Sequence, residues 1–181
     1  MKKSVLLAAL LAVAAAASAA VLKTDPAKTS VSAVFKQMNV PIESKFKKHN
    51  IVIDYNAAAP DTSKATVEVE TASLDLGEAE MNKEVAKKEW FNSAQFPKAT
   101  FTSSAIKSAG PGKLNVTGKL SIKGKVSDVT FPITIKTEGG KQVFEGALPI
   151  KRLAYNIGEG EWKDTSMVAD EVTIKFHVVA Q

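Results

Sequence analysis

The sequence predicts an all-β domain, an antiparallel barrel of eight strands with one short inserted helix. Three observations support this fold class. Apolar and polar residues alternate with a period of two in most segments, turn residues separate these segments, and a single stretch has helical spacing instead. Period-two alternation is typical of antiparallel strands with one buried face, and such strands close into barrels.

The predicted strands follow one another along most of the chain. The alternation is clearest at 113–123, where Leu114, Val116 and Leu120 share one face and polar residues occupy the other. The strand segments are 30–39, 42–47, 49–56, 64–72, 99–107, 113–123, 126–138, 141–150 and 168–179. Counting 42–47 and 49–56 as one bent strand gives eight strands in total.

Turn residues stand between these segments. The Gly-Pro-Gly sequence at 110–112 and the Gly-Gly pair at 139–140 predict hairpin turns, because glycine adopts the positive φ angles that such turns need. Pro60 and Asp61 lie in a loop between two strands. A further short turn is expected near residues 158–162, which contain two glycines.

One segment breaks the strand pattern. Residues 79–91 (AEMNKEVAKKEWF) have helical spacing, with Met81, Val85 and Trp90 near one side. We therefore predict one short helix, inserted between the strand segments 64–72 and 99–107.

Length and composition limit the classes of function. The chain has 181 residues, which fit one domain or two small ones, and its 24 Lys+Arg against 19 Asp+Glu give a net charge of +5. With no cysteine, a disulfide scaffold, a thiolate metal site, a cysteine nucleophile and a lipid-modified cysteine are excluded. With two histidines, the sequence predicts no multi-histidine metal centre, and no motif calls for a cofactor.

The first 19 residues have the composition of a secretory signal peptide. Lys2 and Lys3 precede an apolar run from 5 to 17, and small residues at 17–19 supply a cleavage site before Ala20. A membrane anchor is the alternative, but a bilayer needs about 20 apolar residues. We therefore expect a signal peptide at 1–19 and a periplasmic, soluble domain at 20–181, with a net charge of 22 − 19 = +3.

The sequence contains no recognisable catalytic motif. It has neither the G-x-S-x-G turn of serine hydrolases nor a glycine-rich phosphate loop. Glu159 and Glu161 are interpreted as solvated loop acids, and His177 as a surface residue on the polar face of the last strand. We predict that the protein is not an enzyme. An enzyme acting on a bound apolar substrate stays open as an alternative, with His49 as its candidate polar group.

The basic charge does not indicate a nucleic-acid partner. The lysines are spread over the polar faces of many strands, where they oppose edge pairing and aid solubility. The export signal also argues against nucleic acid. Scattered lysines do favour weak, transient contact with anionic lipid headgroups at a membrane surface. The sequence leaves the oligomeric state open, a homodimer included.

Aromatic residues are the most informative part of the apolar inventory. Phe101, Phe131 and Phe176 fall on the inward faces of strands, whereas Trp90 and Trp162 lie near the ends of elements. Aromatic side chains at element ends could rim the mouth of a cavity. The alternative is that the barrel is filled by its own side chains and serves as a protein-interaction module without a ligand.

Three motifs resemble the YceI-like family of periplasmic polyisoprenoid- and lipid-binding proteins. The first is EWFNSAQFPKATF at 89–101, the second is VTGKLSIKG at 116–124, and the third is YNIG at 155–158, followed by DEV at 170–172. The resemblance extends over nearly all of the chain after residue 30.

This resemblance implies a lipocalin-like eight-stranded antiparallel β-barrel that holds a long isoprenoid lipid, of polyprenyl or quinone type, in an apolar tunnel. Each buried CH₂ group stabilises such a complex by about 0.8 kcal/mol, so the chain needs few polar contacts. The implied partner is an isoprenoid or another amphiphilic lipid. The predicted ligand-binding residues are Phe35, Phe46, Ile53, Trp90, Phe91, Phe101, Leu120, Ile122, Phe131, Ile133, Tyr155, Trp162 and Phe176.

Overall fold

The computed structural model describes residues 20–181, so the predicted signal peptide at 1–19 lies outside the described residues. The described chain forms eleven strands and one α-helix. These are β1 Ala20–Leu22, β2 Ser30–Gln37, β3 Val40–Phe46, β4 His49–Tyr55, β5 Lys64–Glu70, β6 Leu74–Asp75, α1 Ala79–Ala86, β7 Lys98–Ser108, β8 Lys113–Ile122, β9 Lys125–Glu138, β10 Lys141–Lys151 and β11 Val168–Ala180.

All eleven strands belong to one curled antiparallel sheet, in the order β1-β4-β5-β7-β8-β9-β10-β11-β2-β3-β6. The prediction of an all-β fold with one inserted helix is confirmed, but the predicted count of eight strands is wrong. The chain bends at 47–48, so β3 and β4 are two strands where the prediction counted one bent strand. Strands β1 and β6 have three and two residues, too few to show a period of two.

The two short strands, β1 and β6, lie at the two ends of the sheet order and pair with longer strands. Strand β1 pairs with β4, and Thr24 directly after it bridges to Ala180 in β11. Lys23 and Gln181 exchange two backbone hydrogen bonds, with N···O distances of 2.7 and 3.0 Å. Strand β6 pairs with β3 on the other side of the sheet. Inward side chains of the strands therefore face a common interior.

Two-residue turns with positive φ angles join several strands. The predicted Gly139-Gly140 turn is confirmed between β9 and β10, with φ angles of 56° and 78°. Lys123 and Gly124 form a similar turn between β8 and β9, with φ angles of 47° and 74°. Such turns match the right-handed twist of paired strands and fix their register. Register in turn decides which residues of each strand point inward.

The helix is shorter than the sequence predicts. It ends at Ala86 instead of Phe91, because Lys87 adopts an extended backbone with a ψ angle of 170°. The following turn directs the side chain of Trp90 into the core, where it is buried. The predicted short turn near 158–162 is present as a 3₁₀ turn at Gly160–Lys163. No helix within residues 20–181 has the length and apolar character that a membrane crossing requires.

Candidate functional site

The curled sheet encloses an apolar cavity of about 320 Å³. Side chains from every strand between β2 and β11 line it, and residues of α1 contribute to the lining as well. Its volume falls in the range of about 300–1,000 Å³ that is usual for small-ligand pockets. The charged residues among the lining are Glu84 and Arg152. A cavity of this composition suits a ligand that is mainly hydrocarbon.

The structure places most of the predicted ligand-binding residues around this cavity. The ones that line it are Phe35, Phe46, Ile53, Trp90, Phe91, Phe101, Leu120, Ile122, Phe131, Ile133, Trp162 and Phe176. Tyr155, in a 3₁₀ turn beyond the end of β10, is buried in the hydrophobic core but lies outside the cavity lining.

Three phenylalanines form a row across the interior. The ring centroids of Phe101 and Phe131 are 5.3 Å apart and those of Phe131 and Phe176 are 5.4 Å apart, both in edge-to-face geometry. Two inward-facing glycines make room for the outer rings. A Cβ atom on Gly118 would lie 2.6 Å from Cζ of Phe101, so only glycine fits there without a shift of the ring.

Several inward residues are only half-buried. Phe35, Val67, Ile150, Val172 and Ile174 pack against the core cluster and line the cavity, but none of them is fully covered. Side chains in a filled interior pack to the density of an organic crystal and lose nearly all of their accessible surface. Incomplete burial of these five lining residues is the pattern expected of a wall that faces open space instead of a filled core.

One end of the cavity has exposed apolar residues beside it. Gln37 and Val168 line the cavity and pair with each other across β2 and β11. Their neighbours Met38 and Met167 are 66% and 47% exposed, and the Met38 amide donates a 2.8 Å hydrogen bond to the Met167 carbonyl oxygen. Val40, which pairs with Gln37, is also exposed. We call Met38, Val40 and Met167 the methionine edge.

Arg152 is the chain's single arginine, and it is only 2% exposed. Its Nε donates to the carbonyl oxygen of Ala169. Its two Nη atoms donate to the carbonyl oxygens of four further residues. These carbonyl groups belong to Ile157, Gly158, Trp162 and Val168. All five N–H donors are therefore used. Burial lowers the pKa of Arg152, and the carboxylate of Asp170 opposes this effect in part.

Both tryptophans lie next to this arginine. The ring centroids of Trp90 and Trp162 are 5.2 Å apart, and the guanidinium carbon of Arg152 lies 5.7 Å from the centroid of Trp90. The second distance is within the range of a cation–π contact. The guanidinium thus holds the loops between β10 and β11 in place while its positive charge stays beside the cavity wall.

Lys123 holds the chain segment that leads to Trp90. Its ammonium group is buried and donates to the carbonyl oxygens of Lys88 and Asn156, at 2.7 Å each, and to Oε2 of Glu159 at 2.9 Å. The hydrogen bond from Lys123 lowers the pKa of Glu159. Glu159, predicted to be a solvated loop acid, is therefore part of this contact.

Sequence reasoning missed Arg152 and Lys123 as residues of the site. The composition could have drawn attention to Arg152, because it is the one arginine among 24 basic residues. Arginine presents five hydrogen-bond donors where lysine presents three, which suits it to a buried position with many acceptors. Lys123 has no comparable signal, because its acceptors are backbone carbonyl groups that only the tertiary fold brings together.

Neither histidine lines the cavity. His49 begins β4 and is half-buried. Because it is not among the lining residues, it does not supply a polar group to the cavity wall. Nδ1 of His177 lies 3.0 Å from Oε1 of Glu145, a carboxyl group whose pKa is lowered by hydrogen bonds from His177 and Lys136. His177 is thus paired at the surface.

The sequence matches known proteins along most of its length. The model of the YceI-like domain matches residues 22–180. A UPF0312 protein of Pseudomonas fluorescens is 41% identical over 98 residues, which are 54% of this chain and 51% of that protein. The chain thus spans about half the length of several curated Pseudomonas relatives that it matches.

Two solved structures have the same fold. The crystal structure of BcnA from Burkholderia cenocepacia is 53% identical, has a TM-score of 0.85, and aligns with 88% of this chain and 100% of its own. A polyisoprenoid binding domain from Saccharophagus degradans, implicated in plant cell wall breakdown, is 14% identical with a TM-score of 0.70, and the alignment covers 90% of this chain and 98% of that domain. The family match includes nearly every described residue and confirms the resemblance of the sequence motifs, and the chain belongs to the YceI-like domain family.

Proposed function

We propose that this protein is a periplasmic carrier that binds a long-chain isoprenoid lipid, of polyprenyl or quinone type, in its apolar cavity. The observation that carries the proposal is the cavity of about 320 Å³ with its almost entirely apolar lining. A solved domain of the same fold is described as polyisoprenoid binding, which supports this ligand class. Isoprenoid chains gain about 0.8 kcal/mol for each CH₂ group moved from water into such a lining.

The proposed role is binding without chemistry. The ionisable residues of the lining are Tyr55, Glu84 and Arg152. Burial raises the pKa of Tyr55 and so opposes its action as a base, the carboxylate of Glu84 is paired with Lys87, and the five donors of Arg152 are already used. A general acid–base catalyst needs a free proton donor or acceptor near the reacting atoms. The lining therefore favours a carrier over an enzyme.

We further propose that the curled sheet closes into a barrel around the lipid. Strand β1 pairs with β4, and the bridge from Thr24 to Ala180 connects the residues after β1 to β11, which supports closure on that side. A continuous wall keeps water away from the hydrocarbon chain, and full closure removes exposed strand edges.

Membrane contact at the methionine edge is part of this proposal. Met38 and Met167 are exposed next to the lining residues Gln37 and Val168, so a lipid that enters there first meets the apolar side chains of the two methionines. Methionine side chains are flexible and adapt to varied apolar partners. We propose that lipid passes between a membrane and the cavity at this edge.

Mass spectrometry of the organic extract tests the proposal. The protein is purified gently from the periplasm in which its signal peptide would deposit it, and the extract is expected to contain one prenyl lipid at about one molecule per chain. Phe131→Asp places a charge in the lining and is expected to abolish lipid retention, whereas Thr130→Asp, on the exposed face of the same strand, is expected to retain it.

Circular dichroism must show that both variants are folded. An empty extract from the folded wild-type protein would contradict the carrier proposal and favour a protein-interaction module. Retained lipid in folded Phe131→Asp would show that the lipid does not occupy this cavity.

A further inference from the structure

The indole nitrogen of Trp90 is a buried donor without an acceptor. Among the buried side-chain nitrogen and oxygen atoms of residues 20–181, Trp90 Nε1 and Asp54 Oδ1 have no hydrogen-bond partner. Trp90 is 9% exposed and lines the cavity, whereas Asp54 does not line it. Most buried polar atoms in proteins have a hydrogen-bond partner, so a buried donor without an acceptor needs an explanation. Trp90 is thus a lining residue whose buried indole N–H has no acceptor within the described part of the protein.

The surroundings of Trp90 favour an acceptor that carries negative charge. The guanidinium carbon of Arg152 lies 5.7 Å from the Trp90 ring centroid, and every donor of that guanidinium is committed to a backbone carbonyl group. The cation therefore contributes a positive potential at this end of the cavity without offering a hydrogen bond of its own. A ligand oxygen placed here would find one free donor, the indole N–H.

The backbone holds Trp90 in a fixed position. The carbonyl oxygen of Glu89 accepts hydrogen bonds from the amides of Gly158 and Glu159, at 2.8 Å each, and the carbonyl oxygen of Lys88 accepts one from Lys123. The residues on the N-terminal side of Trp90 are thus tied to the loop after β10 and to the turn after β8. A donor fixed before the ligand arrives loses little conformational freedom on binding.

We propose that Trp90 donates a hydrogen bond to an acceptor oxygen at the polar end of the bound lipid, so that the cavity selects amphiphiles with such a head group over plain hydrocarbons. The inference rests on the proposed lipid-carrier function and deepens it by naming the class of head group. A quinone carbonyl and a prenyl phosphate both supply the required oxygen, and the experiment separates them.

Indole ¹⁵N NMR provides the direct test, because the chain contains two tryptophans and therefore gives two indole N–H signals. In Trp162→Phe, the remaining signal belongs to Trp90. We expect a prenyl quinone or a prenyl phosphate to move the Trp90 indole proton downfield, and a prenyl hydrocarbon of equal chain length to leave it in place. The oxygenated probe with the lower Kd in the calorimetry described next is the preferred head group.

Affinities measured by calorimetry give a second, independent readout. Trp90→Phe keeps an aromatic ring but removes the donor, and it is expected to weaken binding of the oxygenated probe about three- to tenfold, which is the usual contribution of one hydrogen bond. Binding of the hydrocarbon is expected to change less than twofold. Tyr155→Phe is the matched control, because it also removes one donor from a buried aromatic side chain but lies outside the cavity lining, and it is expected to preserve the preference for the oxygenated probe.

The possible failures are distinguishable. If all three probes bind wild-type protein with the Trp90 signal unchanged, the lipid carrier stands and the Trp90 inference is overturned. The same holds if Trp90→Phe weakens the hydrocarbon as much as the oxygenated probe. If none of the probes binds folded wild-type protein, the proposed function itself fails. The NMR arm on Trp162→Phe decides the case even where Trp90→Phe does not fold.

Discussion

Gly158 lies directly against the guanidinium of Arg152: a Cβ atom on this glycine would stand 2.1 Å from Nη1 of the arginine. The carbonyl oxygen of Gly158 also accepts a hydrogen bond from that nitrogen, and its φ angle is +81°. Glycine is therefore needed here both for its backbone conformation and for the space it leaves to a buried cation.

We expect Gly158→Ala to destabilise the protein by about 2–5 kcal/mol, the sum of a left-handed backbone and an overpacked site. Gly160→Ala is the matched control, because Gly160 also has a positive φ angle, +66°, but nothing lies within 4 Å of its Cβ position. It should lose only the backbone part, about 1–2 kcal/mol. Urea unfolding measures both, and equal losses would show that the contact with Arg152 is unimportant.

Gly146→Ala should reduce the space available to a ligand. A Cβ atom there would lie 2.2 Å from Cζ of Phe176 and 2.8 Å from Cγ2 of Ile133, so the phenylalanine ring must move toward the cavity. We expect a loss of about 1–3 kcal/mol in the free energy of unfolding and weaker lipid binding.

Ala147→Ser tests a neighbouring position whose side chain is exposed on the outer face of β10. It should leave lipid affinity unchanged when both variants are titrated with the same prenyl lipid. Unaltered lipid affinity in folded Gly146→Ala would argue that the ring of Phe176 does not bound the occupied part of the cavity.

Asp75 makes the junction of β6 with α1 sensitive to acid. Hydrogen bonds from Lys47, Asn82 and the Gly77 amide lower the pKa of Asp75 from 3.8 to about 2. A lowered pKa in the folded state means that the ionised form stabilises the fold. This contribution is complete above pH 3.8 and is lost as the pH falls through about 2.

Asp75→Asn should therefore be less stable than the wild type above about pH 4, and the difference should shrink between about pH 4 and pH 2. Denaturant unfolding across this range measures it. Asp128→Asn removes one partner of a more exposed ion pair with Lys119, and it is expected to change the free energy of unfolding by less than about 1 kcal/mol. If the stability of the wild type and of Asp75→Asn changes in the same way between about pH 4 and pH 2, the ionised Asp75 carboxylate does not stabilise the fold.

The methionine edge should control the rate of lipid transfer. Replacing Met38 and Met167 with serine removes exposed apolar side chains beside the cavity. We expect uptake of a fluorescent prenyl lipid from phosphatidylcholine vesicles to slow about fivefold, because the variant loses apolar contact with the bilayer. Affinity at equilibrium should stay the same.

Val52→Ser is the control for this experiment, since Val52 is exposed on β4 and does not line the cavity. It should transfer lipid at the wild-type rate. If the double methionine variant also transfers lipid at that rate, the lipid enters elsewhere.

The sequence predicts the strands and most of the cavity lining for one physical reason. Period-two alternation assigns Phe101, Leu120 and Phe131 to inward faces, and the sheet then brings those faces together. Tyr155 is the predicted lining residue to which this reason does not apply. It lies in a 3₁₀ turn, where no alternation fixes the direction of a side chain, and it packs into the core instead of lining the cavity.

The contacts that hold the cavity end could not be predicted in the same way. Arg152 and Lys123 bind carbonyl groups from segments far apart in the chain, such as Val168 and Lys88. Every residue has a carbonyl group, so no sequence pattern marks the ones that a buried cation will use. The early end of α1 has a similar cause, because the burial of Trp90 after the helix overrides the helical spacing of residues 79–91.

The pairing of Trp90 with Trp162 also has an optical consequence. Both indoles of the chain stand 5.2 Å apart at the cavity wall, so all of the protein's tryptophan emission comes from one place. Two chromophores at this separation and with a 53° angle between their planes should couple electronically and give a paired positive and negative band in the ultraviolet dichroism spectrum. The unlabelled protein would then report spectroscopically on whatever enters beside its tryptophans.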